Sequence, residues 1–286
     1  MSNFLTPAEL AKTFVGISKA KATNTISKLF VLGILAGVFI GFAAHLATTV
    51  ATGWTIGGEA VLFGLQKFFV GAVFSVGLML VVIPGSELFT GNNLMTIGAM
   101  NGDITWAQLL RNWIIVWIGN LVGSIFLAWM IAAMSGLTDG NVGACAINIA
   151  YGKVTAGGDS HTMMFFFRAI GCNWLVCLAV MMAVASKDIG GKVLAIFFPI
   201  MAFVTSGFEH SVANMYFIPA GIFSKAYANA VTASGKTLEA LDALNWGTMF
   251  SQNVFIVTLG NIVGGAVFVG IVYWWIYVRG KKEAEA

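Results

Sequence analysis

Six stretches of almost uninterrupted apolar residues, near 29–50, 68–98, 112–134, 163–185, 193–222 and 249–277, are separated by short segments in which lysine, asparagine, aspartate and glycine gather. A bilayer core about 30 Å thick is crossed by roughly 20 helical residues. The pattern therefore predicts an all-α polytopic membrane protein with six transmembrane helices. Two of the six carry polar residues where an apolar mid-span is expected: "ELFTGN" at 87–92 in the second and "EHSVAN" at 209–214 in the fifth. Pro84 and Gly85 precede the first cluster and Gly207 the second, joining helix-breaking chemistry to polarity. Helices 2 and 5 are expected to be interrupted there. Irregular backbone at membrane depth is tolerated only against protein or a water-filled cavity, so the interruptions imply a cavity.

The two clusters belong to an internal repeat. "GSELFTGN" at 85–92 matches "GFEHSVAN" at 207–214 as G-x-E-x-x-x-x-N, and "GNLVG" at 119–123 matches "GNIVG" at 260–264. The order is the same in both halves, with about 19 more residues between the motifs of the second half. Each half thus holds three spans. A three-span unit begins on one side of the membrane and ends on the other, so its duplicate enters upside down, and the expected fold is a pair of inverted three-helix repeats. Such folds place their pathway near the midplane at the pseudo-symmetry axis. Because span two runs inward and span five outward, the half-helix after each break starts near the midplane, and its N-terminus favours an anion.

Charge sets the orientation. Lys12, Lys19, Lys21, Lys28, Arg111, Lys187, Lys192, Arg279, Lys281 and Lys282 fall on the side of the N-terminus, whereas Lys67, Lys153, Arg168, Lys225 and Lys236 fall on the other. Basic residues near spans are retained in the cytoplasm, so both termini are expected there, in a cytoplasmic (inner) membrane. The chain is 58% hydrophobic and 9% charged, with mean hydropathy +0.88. That excludes an ordinary soluble domain and makes the net charge of +3 a topology signal, not a nucleic-acid surface. No cleavable signal peptide is expected, since residues 1–28 lack a continuous apolar core. They contain "TPAE", in which Thr6 caps, Pro7 takes the first helical position and Glu9 closes a capping box. Leu10, Phe14 and Ile17 then recur at helical spacing, predicting an amphipathic helix lying on the inner membrane surface, an anchor more readily than a gate. A channel domain over 29–278 and a cytoplasmic tail over 279–286 complete the expected organisation. Cys145, Cys172 and Cys177 show neither disulfide nor zinc spacing, and no metal or cofactor is expected.

Glu87 and Glu209 occupy equivalent places in the repeat, which suits caps or scaffolding as well as an electrostatic effect on their neighbours. His210 differs, because its counterpart is Leu88. One half has gained an ionisable group that symmetry does not require, and an ionisable group inside a membrane is a functional candidate. His45 and His161 lie near span ends and read as interfacial. Thr90 either caps its own half-helix or hydrogen-bonds to His210 across the axis. Phe74 and Leu78 share a helix face one turn apart, with Phe203 at comparable depth; from the pattern alone they are packing or lipid-facing residues.

"PGSELFTGN", "GCNWLVCLA", "SGFEHSVANMYFIPAG" and "TLGNIVGG" closely resemble signature segments of the formate/nitrite transporter family, bacterial and archaeal anion channels with an aquaporin-like inverted repeat. The resemblance extends over all six spans. It implies a homopentamer in the lipid bilayer, with one pore inside each protomer and a small formate-like anion as substrate. By the same resemblance His210 is the central pore histidine, Thr90 the loop threonine opposite it, and Glu209 its neighbour. Asn173 and Asn261 match pore-lining asparagines, and Lys153 the lysine of the outer vestibule. Phe74, Leu78 and Phe203 would form an outer constriction, and Leu88, Phe89 and Val176 an inner one.

Two apolar rings in the path of an anion raise a physical question. A bare ion entering low dielectric loses several kcal/mol even after relaxation, whereas protonating a carboxylate of pKa about 3.7 at pH 7 costs roughly 4 kcal/mol. Neutralisation is the less costly route, with His210 either lending a proton or pairing as imidazolium. Nitrite, hydrosulfide, acetate and lactate share this physics with formate. A neutral-solute channel of aquaporin type lacks its paired Asn-Pro-Ala loops here, where "TGN" and "VAN" stand instead. A membrane enzyme or haem-binding redox subunit is disfavoured by three histidines of which one is deep.

Overall fold

The computed structural model describes residues 3–56, 59–60, 62–158 and 161–280. The tail from residue 281 lies outside the described residues. Helix α1 (Pro7–Ala22) is followed by α2 (Ile26–Ala51), a two-residue ribbon of β1 (Thr55–Ile56) and β2 (Glu59–Ala60), and α3 (Phe63–Val82). After a break, α4 is assembled from Phe89–Asn92, a 3-10 turn Asn93–Met95 and Thr96–Met100. Then come α5 (Trp106–Met134), α6 (Asn141–Thr155), α7 (His161–Ala185) and α8 (Ile189–Thr205). A second break precedes α9 (Ser211–Ser224). Short helices α10 (Ala228–Ser234) and α11 (Leu238–Leu241) lead to α12 (Trp246–Tyr277).

Among the described residues, α2, α3, α5, α7 and α12 are five helices long and apolar enough to cross a membrane by length and composition. The fifth expected crossing is divided into α8, of 17 residues, and α9, of 14. Each falls short of the roughly 20 residues a crossing needs. The expected breakers sit at the joints: Gly85 has φ +94° and Gly207 φ +75°, left-handed values that a β-carbon disfavours.

The motif glycines set how closely helices approach. A β-carbon at Gly123 would lie 2.0 Å from the Ile34 carbonyl of α2, and one at Gly264 would lie 2.3 Å from the Ile170 carbonyl of α7. The α2–α5 and α7–α12 pairs therefore meet backbone to backbone, as small residues permit between helices in lipid.

Helix α1 begins with the expected capping box, Thr6 and Glu9 each accepting the other's backbone N–H. It does not simply lie on a surface. Leu10, Ala11, Phe14, Ser18 and Ala22 are buried, and the helix packs against α4, α5 and α12. Its apolar face is covered by protein.

Candidate functional site

At the first break the backbone is held by side chains from elsewhere in the chain. Asn120 of α5 donates to the carbonyls of Gly33 (2.8 Å) and Glu87 (2.9 Å), and its Oδ1 accepts from the N–H of Phe89 (2.9 Å). Glu87, buried, accepts from Lys21 Nζ of α1 (2.7 Å) and from Asn92 Nδ2 (2.6 Å). Asn92 also donates to Asn112 (2.8 Å) and accepts a second bond from Lys21 (2.9 Å).

The second break repeats this wiring. Asn261 of α12 donates to the carbonyls of Ala169 (2.8 Å) and Glu209 (2.9 Å) and accepts from the N–H of Ser211 (2.9 Å). Both oxygens of Glu209 accept from Lys153 of α6 (2.8 and 3.0 Å), and one also accepts from Asn214 Nδ2 (2.6 Å), which donates in addition to Asn253 (2.7 Å). Asn253 in turn donates to the Lys153 carbonyl (3.0 Å). The correspondence shows that α6 is the counterpart of α1, each carrying in its last turn a lysine that neutralises the glutamate of a break.

The two breaks meet at one hydrogen bond. Thr90 Oγ1 and His210 Nε2 are 2.9 Å apart and both residues are buried. His210 is also the cap of α9, its Nδ1 accepting the N–H of Ala213 at 3.0 Å. That bond leaves Nδ1 without a proton, so the neutral ring carries its proton on Nε2 and donates it to Thr90. The hydrogen of the Thr90 hydroxyl is then uncommitted. Protonating Nδ1 as well would cost the cap. Thr90 is itself fixed by its carbonyl, which accepts from Asn173 Nδ2 (3.2 Å) and Cys177 Sγ (3.4 Å) of α7.

Two cavities approach this junction from opposite faces. The near cavity, on the side of α1, has a volume of about 170 Å³ and is bounded by Phe14, Lys21, Leu78, Leu88 and Val180. The far cavity, beside α6, measures about 740 Å³ and is bounded by Lys153, Phe74, Phe203, Glu209 and His210. Among the described residues none bounds both. Phe74 and Phe203 meet edge to face with centroids 5.8 Å apart, and Phe203 lies 6.0 Å from the His210 ring.

The structure thus brings together His210, Thr90, Glu209, Lys153, Phe74 and Phe203, and separates others from their expected company. Leu78, expected with Phe74 and Phe203, bounds the near cavity with Leu88. Phe89 turns its ring edge-on to Trp113 at 6.1 Å, and it and Val176 border neither cavity. Asn173 and Asn261 also border neither, because their amides are committed to holding the breaks. Lys153 is paired with Glu209 instead of standing free. His161, at the first residue of α7, is buried, its ring nitrogens facing the carbonyls of Ala156 and Gln252. Lys21, Asn92, Asn112, Asn120, Asn214 and Asn253 join the site without having been expected there. The repeat carried the signal for Asn120, which is to "GNLVG" what Asn261 is to "GNIVG".

Comparison with known proteins agrees with this arrangement. A sequence profile described as "Formate/nitrite transporter" matches residues 8–275. A "Probable formate transporter" from Methanothermobacter thermautotrophicus is 44% identical, over 97% of this chain and 99% of its own. "Formate channel FocA" from Escherichia coli (strain K12) is 36% identical, over 97% and 96%. Among solved structures, a "Pentameric formate channel with formate bound" superposes with TM-score 0.75 at 38% identity, covering 89% of this chain and 98% of that one.

Proposed function

The chain belongs to the formate/nitrite transporter family, and on that premise we propose that it conducts small monovalent weak acids, formate first among them, through a pore inside each protomer of a homopentamer. Formate is favoured because the relatives are formate transporters and channels and one solved relative is a pentamer holding formate. Residues 29–278 form the channel domain as two inverted three-span halves, the broken elements α3–α4 and α8–α9 each counting as one crossing. Residues 1–28 and 279–286 are cytoplasmic, which makes the near cavity cytoplasmic and the far cavity external.

The observation that carries the reading is the Thr90–His210 bond at the junction of the two breaks. An anion reaching it from the external cavity passes the apolar pair Phe74 and Phe203, and on the inner side Leu78 and Leu88. Crossing bare forfeits several kcal/mol of hydration. When His210 takes a second proton on Nδ1 it gives up the Ala213 cap, and as imidazolium it passes its Nε2 proton through the Thr90 hydroxyl to the anion, which crosses as the neutral acid while the ring returns to neutral imidazole. The ring recovers a proton afterwards. Glu209 acts indirectly: with Lys153 it keeps the external approach from carrying an uncompensated carboxylate, and Asn173 and Asn261 hold the two breaks in register.

Formate flux and internal pH measured together in proteoliposomes test this. Wild type should carry formate with a proton, and net flux should rise when the donor side is acidified. His210→Asn, similar in size and still able to hydrogen-bond, should assemble normally and lose that pH dependence. Full proton-coupled flux in the variant would reduce His210 to a structural cap.

A further inference from the structure

Lys153 of the far cavity, the lysine matched by resemblance to an outer vestibule, is already neutralised, since it donates to both oxygens of Glu209. Two other cations bound the same cavity, Lys67 of α3 and Arg168 of α7. Among the described residues neither meets a carboxylate. Lys67 Nζ lies over the ring of Phe63 at 5.6 Å, and the Arg168 guanidinium over that of Phe165 at 5.8 Å. Both are pinned through their backbones to the second break: Thr205 Oγ1 donates to the Lys67 carbonyl at 3.1 Å, and the Glu209 N–H donates to that of Arg168 at 3.3 Å.

The repeat shows that this charge is not part of the scaffold. The bond from Glu209 to Arg168 has its counterpart in the bond from the Glu87 N–H to the Leu32 carbonyl, at 3.2 Å. Leu32 therefore stands where the second half has arginine. The near cavity is bounded by one cation among the described residues, Lys21, and Glu87 neutralises it. One cavity carries two cations beyond its ion pair, and the other carries none.

Resting on the transport reading above, we infer that Lys67 and Arg168 form an anion-binding site in the far cavity, a carboxylate station separate from the Lys153–Glu209 pair, with no equivalent on the opposite face. Cations lining one low-dielectric cleft concentrate small anions, and their effect falls as salt screens them. The consequence is sidedness: the concentration needed for half-maximal flux should be lower from the far face than from the near one at low ionic strength.

Lys67→Gln, Arg168→Gln and the double variant separate the possibilities. With formate jumps applied to each face of an oriented membrane, the single changes should raise far-face KM about threefold and the double change about tenfold at low salt. Maximal flux and near-face KM should stay as in wild type. Added salt should raise the wild-type far-face KM and leave that of the double variant flat. Lys67→Arg should behave as wild type, which guards against loss of fold. Unchanged far-face KM in an assembled double variant would overturn the site. Titration calorimetry of sodium formate into the detergent-solubilised assembly reads the site without transport: wild type should bind at least about fivefold more tightly than the double variant. Equal binding would overturn the inference even if transport holds, whereas binding that differs as expected in a protein passing no weak acid would overturn the transport reading alone.

Discussion

The two breaks share their wiring and differ in their chemistry. Each is stitched by an asparagine that satisfies two carbonyls and one N–H, and each has a glutamate held by a lysine and an asparagine. At the centre the likeness stops. His210 and Thr90 are equivalent in the repeat to Leu88 and Val212, so the same scaffold carries a polar pair in one register and an apolar pair in the other. Symmetry in this molecule marks what holds the loops, and the departures from it fall at the junction where the two breaks meet.

The largest effect should come from breaking the shared part. Asn261→Ala leaves the Ser211 N–H without its partner and takes one bond each from the Ala169 and Glu209 carbonyls, and Asn120→Ala does the same to the Phe89 N–H and the Gly33 and Glu87 carbonyls at the first break. At about 1–3 kcal/mol for each buried group, either change should abolish a stable assembly, read as loss of the oligomer peak in heated size-exclusion runs. Survival of one and collapse of the other would show that the halves are not equally dependent on their stitches.

A smaller effect sharpens the asymmetry. Leu88→His should cost about 2 kcal/mol, because the buried imidazole finds valine where His210 finds Thr90. Adding Val212→Thr should recover about 1 kcal/mol, measured as coupling in a double-mutant cycle of thermal stability. Absence of coupling would mean that the two positions do not face each other as Thr90 and His210 do.

The smallest difference lies between the lysines. Lys153 is 15% exposed at its side chain and Lys21 is 24%. Lys153→Met should therefore destabilise by about 2 kcal/mol and Lys21→Met by about 1 kcal/mol, since solvent reaches the second ion pair more readily and compensates the carboxylate left behind. Chemical denaturation in one detergent, comparing the two variants, gives the order.

Much of this was legible in the chain. Gly85 and Gly207 announced the breaks because a helix-breaking residue beside buried polarity leaves the backbone no regular course through the membrane, and His210 stood out by lacking a counterpart. Direction was not legible. A polar residue at membrane depth must satisfy its hydrogen bonds, but the pattern does not say whether it turns to a cavity or to backbone, so Asn173 and Asn261 were expected at the lining and are found behind it. Lys21 was hidden among lysines whose number decides topology, and its partner Glu87 lies 66 residues away. Phe89 and Val176 shared the depth expected of a constriction but border neither cavity. Depth follows from counting along a helix, whereas facing depends on the neighbour that covers it.

The backbone contacts at Gly123 and Gly264 have a mechanical meaning. Helices that touch through their main chains have no side-chain layer to compress, so α2–α5 and α7–α12 behave as stiff staves whose spacing cannot be adjusted by repacking. Separating the two helices of either pair by tilting them would tear contacts between main chains. Compliance is left to the parts that the staves carry: the rings of Phe74 and Phe203, the two interrupted turns and helix α1 beside the near cavity. A bulky residue grafted at either glycine would act as a wedge, and its strain would be passed along the whole helix pair instead of being absorbed where it is introduced.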